Sequence, residues 1–194
     1  MPQKKFLDDE AVLEKALLVI SDRGPDTFTL VDIGKAVGLA PATLLQRFGS
    51  KQQLLIQAAK HANTKLKKDL EQLKSQQMPW TKELIELLAG LPEGFGSRQD
   101  IANSLGMLKL DMVDPELHPI ARQLFRQLRK RIKELLAKAQ RQGELESSVD
   151  IEAMTWELDA LRHGLVIQWT LSGKGSLQQW LQKGIQYYLK MRQP

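Results

Sequence analysis

Thr43, Gln46 and Arg47 fall within five positions of one another in the segment PATLLQRF, residues 41–48. Their side chains match the hydrogen-bonding groups on nucleic-acid bases and phosphates. Glutamine pairs in two-point fashion with adenine, arginine with guanine, and a threonine hydroxyl with either a base edge or a phosphate oxygen. Leu45 between them suits a sugar or a thymine methyl, or else packing in a small core. Thr29 and Lys51 flank the segment. Thr29 is first a helix cap, and its hydroxyl or the neighbouring amides suit a phosphate. Lys51 opens a helix, where a cation opposes the helix dipole at a cost of about 0.3–1 kcal/mol. A lysine in that place implies a nearby anion, for which a phosphate held by Lys51 and free amides is suited.

These side chains require a particular scaffold. Thr29 and Asp32, three apart, form an N-terminal capping box. Leu30, Ile33 and Val37 then repeat along one helical face. Gly38 ends that helix, since glycine takes the left-handed conformation at little cost. Pro41 suits the first position of the next helix, and Leu39 and Leu44 fit a hydrophobic staple around its start. With Leu44 and Phe48 inward, Pro41, Ala42, Thr43, Gln46 and Arg47 point outward. Ser50 and Gln53 begin a further helix with an S-x-x-Q box. Two short helices crossing through a glycine turn make a helix-turn-helix reader of DNA.

The same residues carry a resemblance. Gly24, Thr29, Ile33, Val37-Gly38-Leu39, Ala42-Thr43-Leu44, Phe48, Ser50-Lys51 and Leu54-Leu55 resemble the DNA-binding signature of TetR-family transcriptional regulators, densely over residues 12–59. Three positions depart from it. Gly34 replaces a small helix former, Ala40 a frequent serine cap, and Leu45 a tyrosine that touches the DNA backbone. The resemblance implies an all-α chain with a three-helix head, residues 1–52, and a helical effector-binding and dimerisation body, residues 53–194. It also implies a cavity in the body for a small molecule that shifts the heads out of register with an operator.

Composition is compatible with that reading. The 194 residues contain no cysteine, so thiolate chemistry and a disulfide framework are excluded. No apolar run approaches a membrane span, and a cytoplasmic protein is expected. The formal charge is +5, and its distribution is uneven. From Lys35 to Lys68 there is no acidic residue, whereas residues 1–33 lean acidic. A narrow basic face is the electrostatic footprint of a phosphate-binding surface. Lys4 and Lys5 form a short basic tail. Enzyme chemistry finds little support. None of His61, His118 and His163 completes a metal motif, Asp159 and His163 make at most a structural pair, and no cofactor is implied.

Helical periodicity continues through the body. A long helix from Ser50 to about Gln76 joins head to body. Further helices span Trp80–Leu91, Ser97 to about Val113, Asp114 to about Gln142, Asp150–Leu171 and Ser176 to about Met191, giving nine in all. In the helix that starts at Asp114, Arg122, Arg126, Arg129 and Lys133 line the side opposite the apolar stripe. The last two helices carry Leu158, Leu161, Leu165 and Trp169, and Leu177, Trp180, Leu181, Ile185 and Tyr188. These stripes are too apolar for one neighbour, and Gly164 and Gly184 allow close backbone approach; a core within one chain is the alternative. The resemblance implies that they pair with their copies across a two-fold axis. Candidate effector-lining residues are Trp80, Phe95, Met107, Asp111, Met112, Phe125, Trp156 and His163, which favour a mostly hydrophobic, aromatic or cationic ligand. The expected protein is a homodimeric repressor of a palindromic operator, released by an effector. A nonspecific architectural DNA binder, and a ligand-binding protein whose head has lost DNA affinity, are the competing readings.

Overall fold

The computed structural model describes residues 7–75, 78–91 and 96–192. Lys4, Lys5 and Phe95 lie outside the described residues. Among those described, nine α-helices and no strand occur: α1 (Asp9–Arg23), α2 (Leu30–Val37), α3 (Pro41–Phe48), α4 (Lys51–Ser75), α5 (Trp80–Ala89), α6 (Arg98–Val113), α7 (Leu117–Arg141), α8 (Ile151–Ser172) and α9 (Leu177–Met191). The chain folds into two compact units. One comprises Met1–Leu66 and Ala102–Gln123, the other Lys67–Ile101 and Leu124–Pro194. The start of α4 falls in the first unit, and so does the α6–α7 corner.

In the first unit, Asp8 caps α1 by accepting from Ala11 N at 2.8 Å, which leaves Asp9 available for another partner. Val12, Ala16 and Ile20 form the buried stripe of α1, and the helix stops at Gly24, whose φ is +88°. Phe28, Ile33, Leu44, Leu54 and Leu117 are fully or almost fully buried in the same cluster. Each side chain of this size contributes about 1.5–3 kcal/mol on burial. Side-chain amides hold the α6–α7 corner onto the helices that carry the reader. Asn103 donates to the carbonyls of Ser21 and Asp22, both at 2.7 Å, at the end of α1. Asn63 of α4 donates to Ile120 O at 2.8 Å, and Gln52 donates to Asp114 Oδ2 at 2.9 Å. Asp114 also caps α7, accepting from the amides of Glu116 and Leu117, which keeps its carboxyl below the usual range.

In the second unit, α9 packs on both α5 and α8. Trp80, Leu84, Leu88, Ile132, Leu135, Leu136, Leu158, Leu177, Leu181 and Ile185 form its core. Two charges enter this core. Arg131 is 8% exposed and Glu83 is 3% exposed, and they pair with each other. Arg131 also lies 3.7 Å from Glu134. Desolvating two ions is costly, and their mutual attraction offsets that cost only while both remain. Asp150 caps α8, and Ser176 caps α9 by accepting from Gln179 N at 3.2 Å.

Candidate nucleic-acid interface

The capping box is complete. Thr29 Oγ1 accepts from Asp32 N at 3.2 Å, and Asp32 Oδ2 accepts from Thr29 N at 2.9 Å and from the Thr29 hydroxyl at 2.6 Å. The Thr29 hydroxyl and then its amide hold the Asp32 carboxyl below its ordinary value. Gly38 adopts φ +71° and ψ +29°, and its N–H and that of Leu39 both reach Gly34 O. Gly34 has its own reason to be glycine. A Cβ there would stand 2.5 Å from the Leu39 carbonyl oxygen, so the turn closes only because the side chain is missing. Ala40, at the N-cap of α3, makes no side-chain cap bond. Its carbonyl accepts from Thr43 N and Leu44 N, and Pro41 occupies the first turn.

On α3, Pro41, Ala42, Leu45 and Gln46 are exposed, Thr43 is half-buried, and Leu44 and Phe48 are buried. Leu45 is 45% exposed, so core packing is not its role. Arg47 corrects the expectation of an outward arginine. Its side chain is only 14% exposed, and its guanidinium bonds the Asp9 carboxylate through Nε, at 2.8 Å, and Nη2. It also lies over the Phe48 ring, 5.6 Å from the centroid. Helical spacing within α3 could not show this, because the carboxylate comes from α1. Lys51 likewise has a cause inside the chain: its ammonium sits 4.2 Å from the centroid of Phe28 and covers that buried ring. Ser50 accepts from Gln53 N at 3.0 Å, as its S-x-x-Q spacing requires.

The two helices expected to dimerise divide differently from their sequence pattern. Leu158, Trp169, Leu177, Leu181 and Ile185 are buried within a single chain, and so cannot supply an exposed interface. Gly184 serves packing inside the chain, since a Cβ there would meet Leu165 Cδ1 at 2.5 Å. Leu161, Leu165, Trp180 and Tyr188 are half-buried, and the Tyr188 hydroxyl donates to Glu157. Gly164 is exposed, and a Cβ added there would meet nothing within 4 Å. Trp156, Ala160, Gly164, Ile167, Gln168 and Leu171 form an exposed, uncharged stripe along α8. Leu171 is 74% exposed.

The effector candidates separate between the units. Met107, Asp111 and Met112 lie in the first. Burial, and then the neighbouring Asp114 carboxylate, raise Asp111 to about 6, with His118 opposing. Met112 is 64% exposed. Trp80, Phe125, Trp156 and His163 lie in the second unit, where Trp80 is core. The rings of Phe125 and His163 pack with centroids 5.4 Å apart and planes tilted by 41°, and His163 Nδ1 lies 2.7 Å from Asp159 O. Arg129 is not on a solvated face as the stripe suggested. It bonds Asp159 at 2.9 Å and lies 4.3 Å from the centroid of the Trp156 ring. Arg131 and Glu83 were not singled out by sequence. The signal was there: Glu83 is three residues after Trp80 on the apolar face of α5, and Arg131 sits between Leu128 and Leu135 on that of α7.

Comparison with known proteins decides the family. Residues 12–58 match the model for bacterial regulatory proteins of the tetR family, and residues 87–189 match the model for the C-terminal part of BetI-type transcriptional repressors. The chain belongs to the TetR family of transcriptional regulators. It is therefore a DNA-binding regulator and not an enzyme. The HTH-type transcriptional regulator BetI of Rhizobium meliloti (strain 1021) is 38% identical over 60 residues, 31% of this chain and 30% of that protein. The aligned stretch thus spans less than a third of that relative. A transcriptional regulator from Saccharomonospora viridis in complex with choline shares the fold of this regulator, with a TM-score of 0.80 at 20% identity over 94% of this chain and 95% of that one. The regulator FadR from Bacillus subtilis in complex with stearoyl-CoA shares it with a TM-score of 0.63 at 16% identity, over 90% and 94% of the two chains. Among the described residues, no helix is long and apolar enough to cross a membrane.

Proposed function

We propose that this TetR-family regulator is a homodimeric repressor that binds a palindromic operator and leaves it when a small molecule binds the body. The carrying observation is the uncharged stripe on α8, running from Ala160 through Gly164 to Leu171, on a chain whose eight-residue α3 can read only a few base pairs. A two-fold pair places two such readers on half-sites one helical turn or a multiple apart, which supplies the specificity one reader lacks. The head is residues 1–52 in this reading. Thr29, Thr43 and Lys51 meet phosphates, and the exposed face of α3 meets bases. The regulator works in the cytoplasm, where its DNA is.

The effector is a small organic cation in this proposal. Trp156 presents an aromatic face to Arg129, which bonds the buried Asp159 carboxylate, and the other oxygen of that carboxylate lies 3.5 Å from His163 Nδ1. An aromatic face next to a carboxylate attracts a cation, and Arg129 now holds that place. The choline bound by the structural relative from Saccharomonospora viridis is of this class.

Gly164→Glu tests the assembly. The site is open, so the variant folds as a monomer would. Sedimentation should show a dimer for the parent chain and a monomer for the variant, with affinity for an inverted repeat at least tenfold lower. A parent chain that sediments as a monomer, or a variant that remains dimeric, refutes the proposal.

A further inference from the structure

The geometry points to an α3 that selects A·T base pairs, with Gln46 reading adenine and Leu45 and Ala42 reading thymine methyl groups. This rests on α3 being the element that enters the major groove. The exposed side chains of α3 are Pro41, Ala42, Leu45 and Gln46, none of them charged. The cation of this helix, Arg47, is committed to Asp9 through two of its nitrogens. Guanine is most often read by an arginine or lysine that donates twice to O6 and N7. To do so, Arg47 would have to surrender an ion pair in which its side chain is only 14% exposed.

What remains fits the other base pair. A glutamine amide offers one donor and one acceptor, the complement of adenine N7 and N6–H₂ in the major groove. Leu45, 45% exposed, has no polar atom on its side chain and cannot bond a phosphate. It gains in the groove only from apolar contact, and the apolar group on a base edge there is the thymine methyl. Ala42 lies three residues before Leu45, on the same face of the helix and one turn closer to its N-terminus. Contacts from lysines to phosphates add affinity but are blind to sequence. The base-reading groups thus favour a half-site whose central contacts are adenine and thymine.

The test is selection from a random-sequence duplex pool, followed by remaking the recovered site with deoxyuridine in place of thymidine. Uracil keeps every hydrogen-bonding group of thymine and lacks only the methyl. The recovered half-site should contain A·T pairs at its read positions. Uracil replacement should weaken binding about fourfold for each methyl contacted, the loss expected for one buried carbon group. Leu45→Ala should remove the share of that uracil penalty that belongs to its own methyl contact, leaving that of Ala42, while keeping the adenine preference. Gln46→Ala should relax the adenine position while keeping the penalty. Both positions are exposed, so circular dichroism of either variant should match that of the parent. Half-sites with guanine at the read positions, equal affinity for the thymine and uracil duplexes, or an undiminished penalty in Leu45→Ala would each overturn the inference and leave the repressor reading standing. A pool that enriches no sequence overturns both.

Discussion

The two units hold their helices together by different chemistry. In the first, neutral side-chain amides carry several long-range ties, Asn103 to the end of α1, Asn63 to α7 and Gln52 to the Asp114 carboxylate, beside the ion pairs of Arg47 with Asp9 and Lys65 with Glu14, whose carboxylates are exposed. In the second, they are ion pairs taken out of water, Arg131 with Glu83 and Arg129 with Asp159. A neutral amide bond is worth about 0.5–1.5 kcal/mol net, whereas breaking a buried ion pair by removing one partner costs about 3–5 kcal/mol. The amide ties of the first unit are thus individually cheap to break, and its ion pairs keep their carboxylates in water. The other unit is locked by ties that are costly to break singly.

The largest expected effect comes from breaking the second kind of tie. Glu83→Ala leaves the Arg131 guanidinium buried without its main partner, and unfolding should become easier by about 3–5 kcal/mol. All four tryptophans, Trp80, Trp156, Trp169 and Trp180, lie in this unit, so tryptophan fluorescence during urea denaturation reads it directly. The double variant Glu83→Leu with Arg131→Met should recover most of the loss, because it removes both charges together. A single variant as stable as the parent would show that the pair contributes nothing.

Asn103→Ala breaks the first kind. Two bonds to α1 carbonyls are lost, and about 1–2 kcal/mol of local stability with them. Hydrogen exchange should accelerate in the last turn of α1 and leave the core of α9 unchanged. Equal acceleration in both places would remove the distinction drawn between the units.

The smallest effect sharpens the comparison from within the first unit. Burial, and then the nearby Asp114 carboxylate, raise the Asp111 pKa to about 6. A carboxyl with a raised folded-state pKa binds a proton more tightly when folded. Its ionisation therefore lowers stability progressively from about pH 4 to pH 6, and the full cost stands above that. Asp111→Asn lacks this cost. The melting temperature of the variant relative to the parent should rise across that window and then level off. A difference that stays flat with pH would place the Asp111 carboxyl in water.

Local pattern explains why so much was readable beforehand. Thr29 with Asp32, Gly38, Pro41, Ser97 with Asp100, and Ser176 act on backbone groups within a few residues, and each marks an element boundary where it lies. The helix-turn-helix and the helix order follow from such signals. Partners distant in the chain do not. The spacing of α3 pointed Arg47 at DNA, and only the fold reveals that Asp9, 38 residues earlier, holds it. The apolar stripes of α8 and α9 were legible, but their split into a buried face and an outer face depends on which neighbour each helix meets. Leu158 and Leu181 went inward, whereas Leu161 and Leu165 are only half-buried. Asn103 gave no periodic signal, because one amide on a helix looks the same whether it faces solvent or the end of another helix.

The bond between Arg47 and Asp9 has an evolutionary consequence. A substitution at Asp9 alone would remove this partner of the Arg47 guanidinium while every residue of α3 stayed the same. Under the proposed reading by α3, one codon in α1 can therefore alter the electrostatics of the recognition helix, and recognition-helix sequences compared by themselves would miss it.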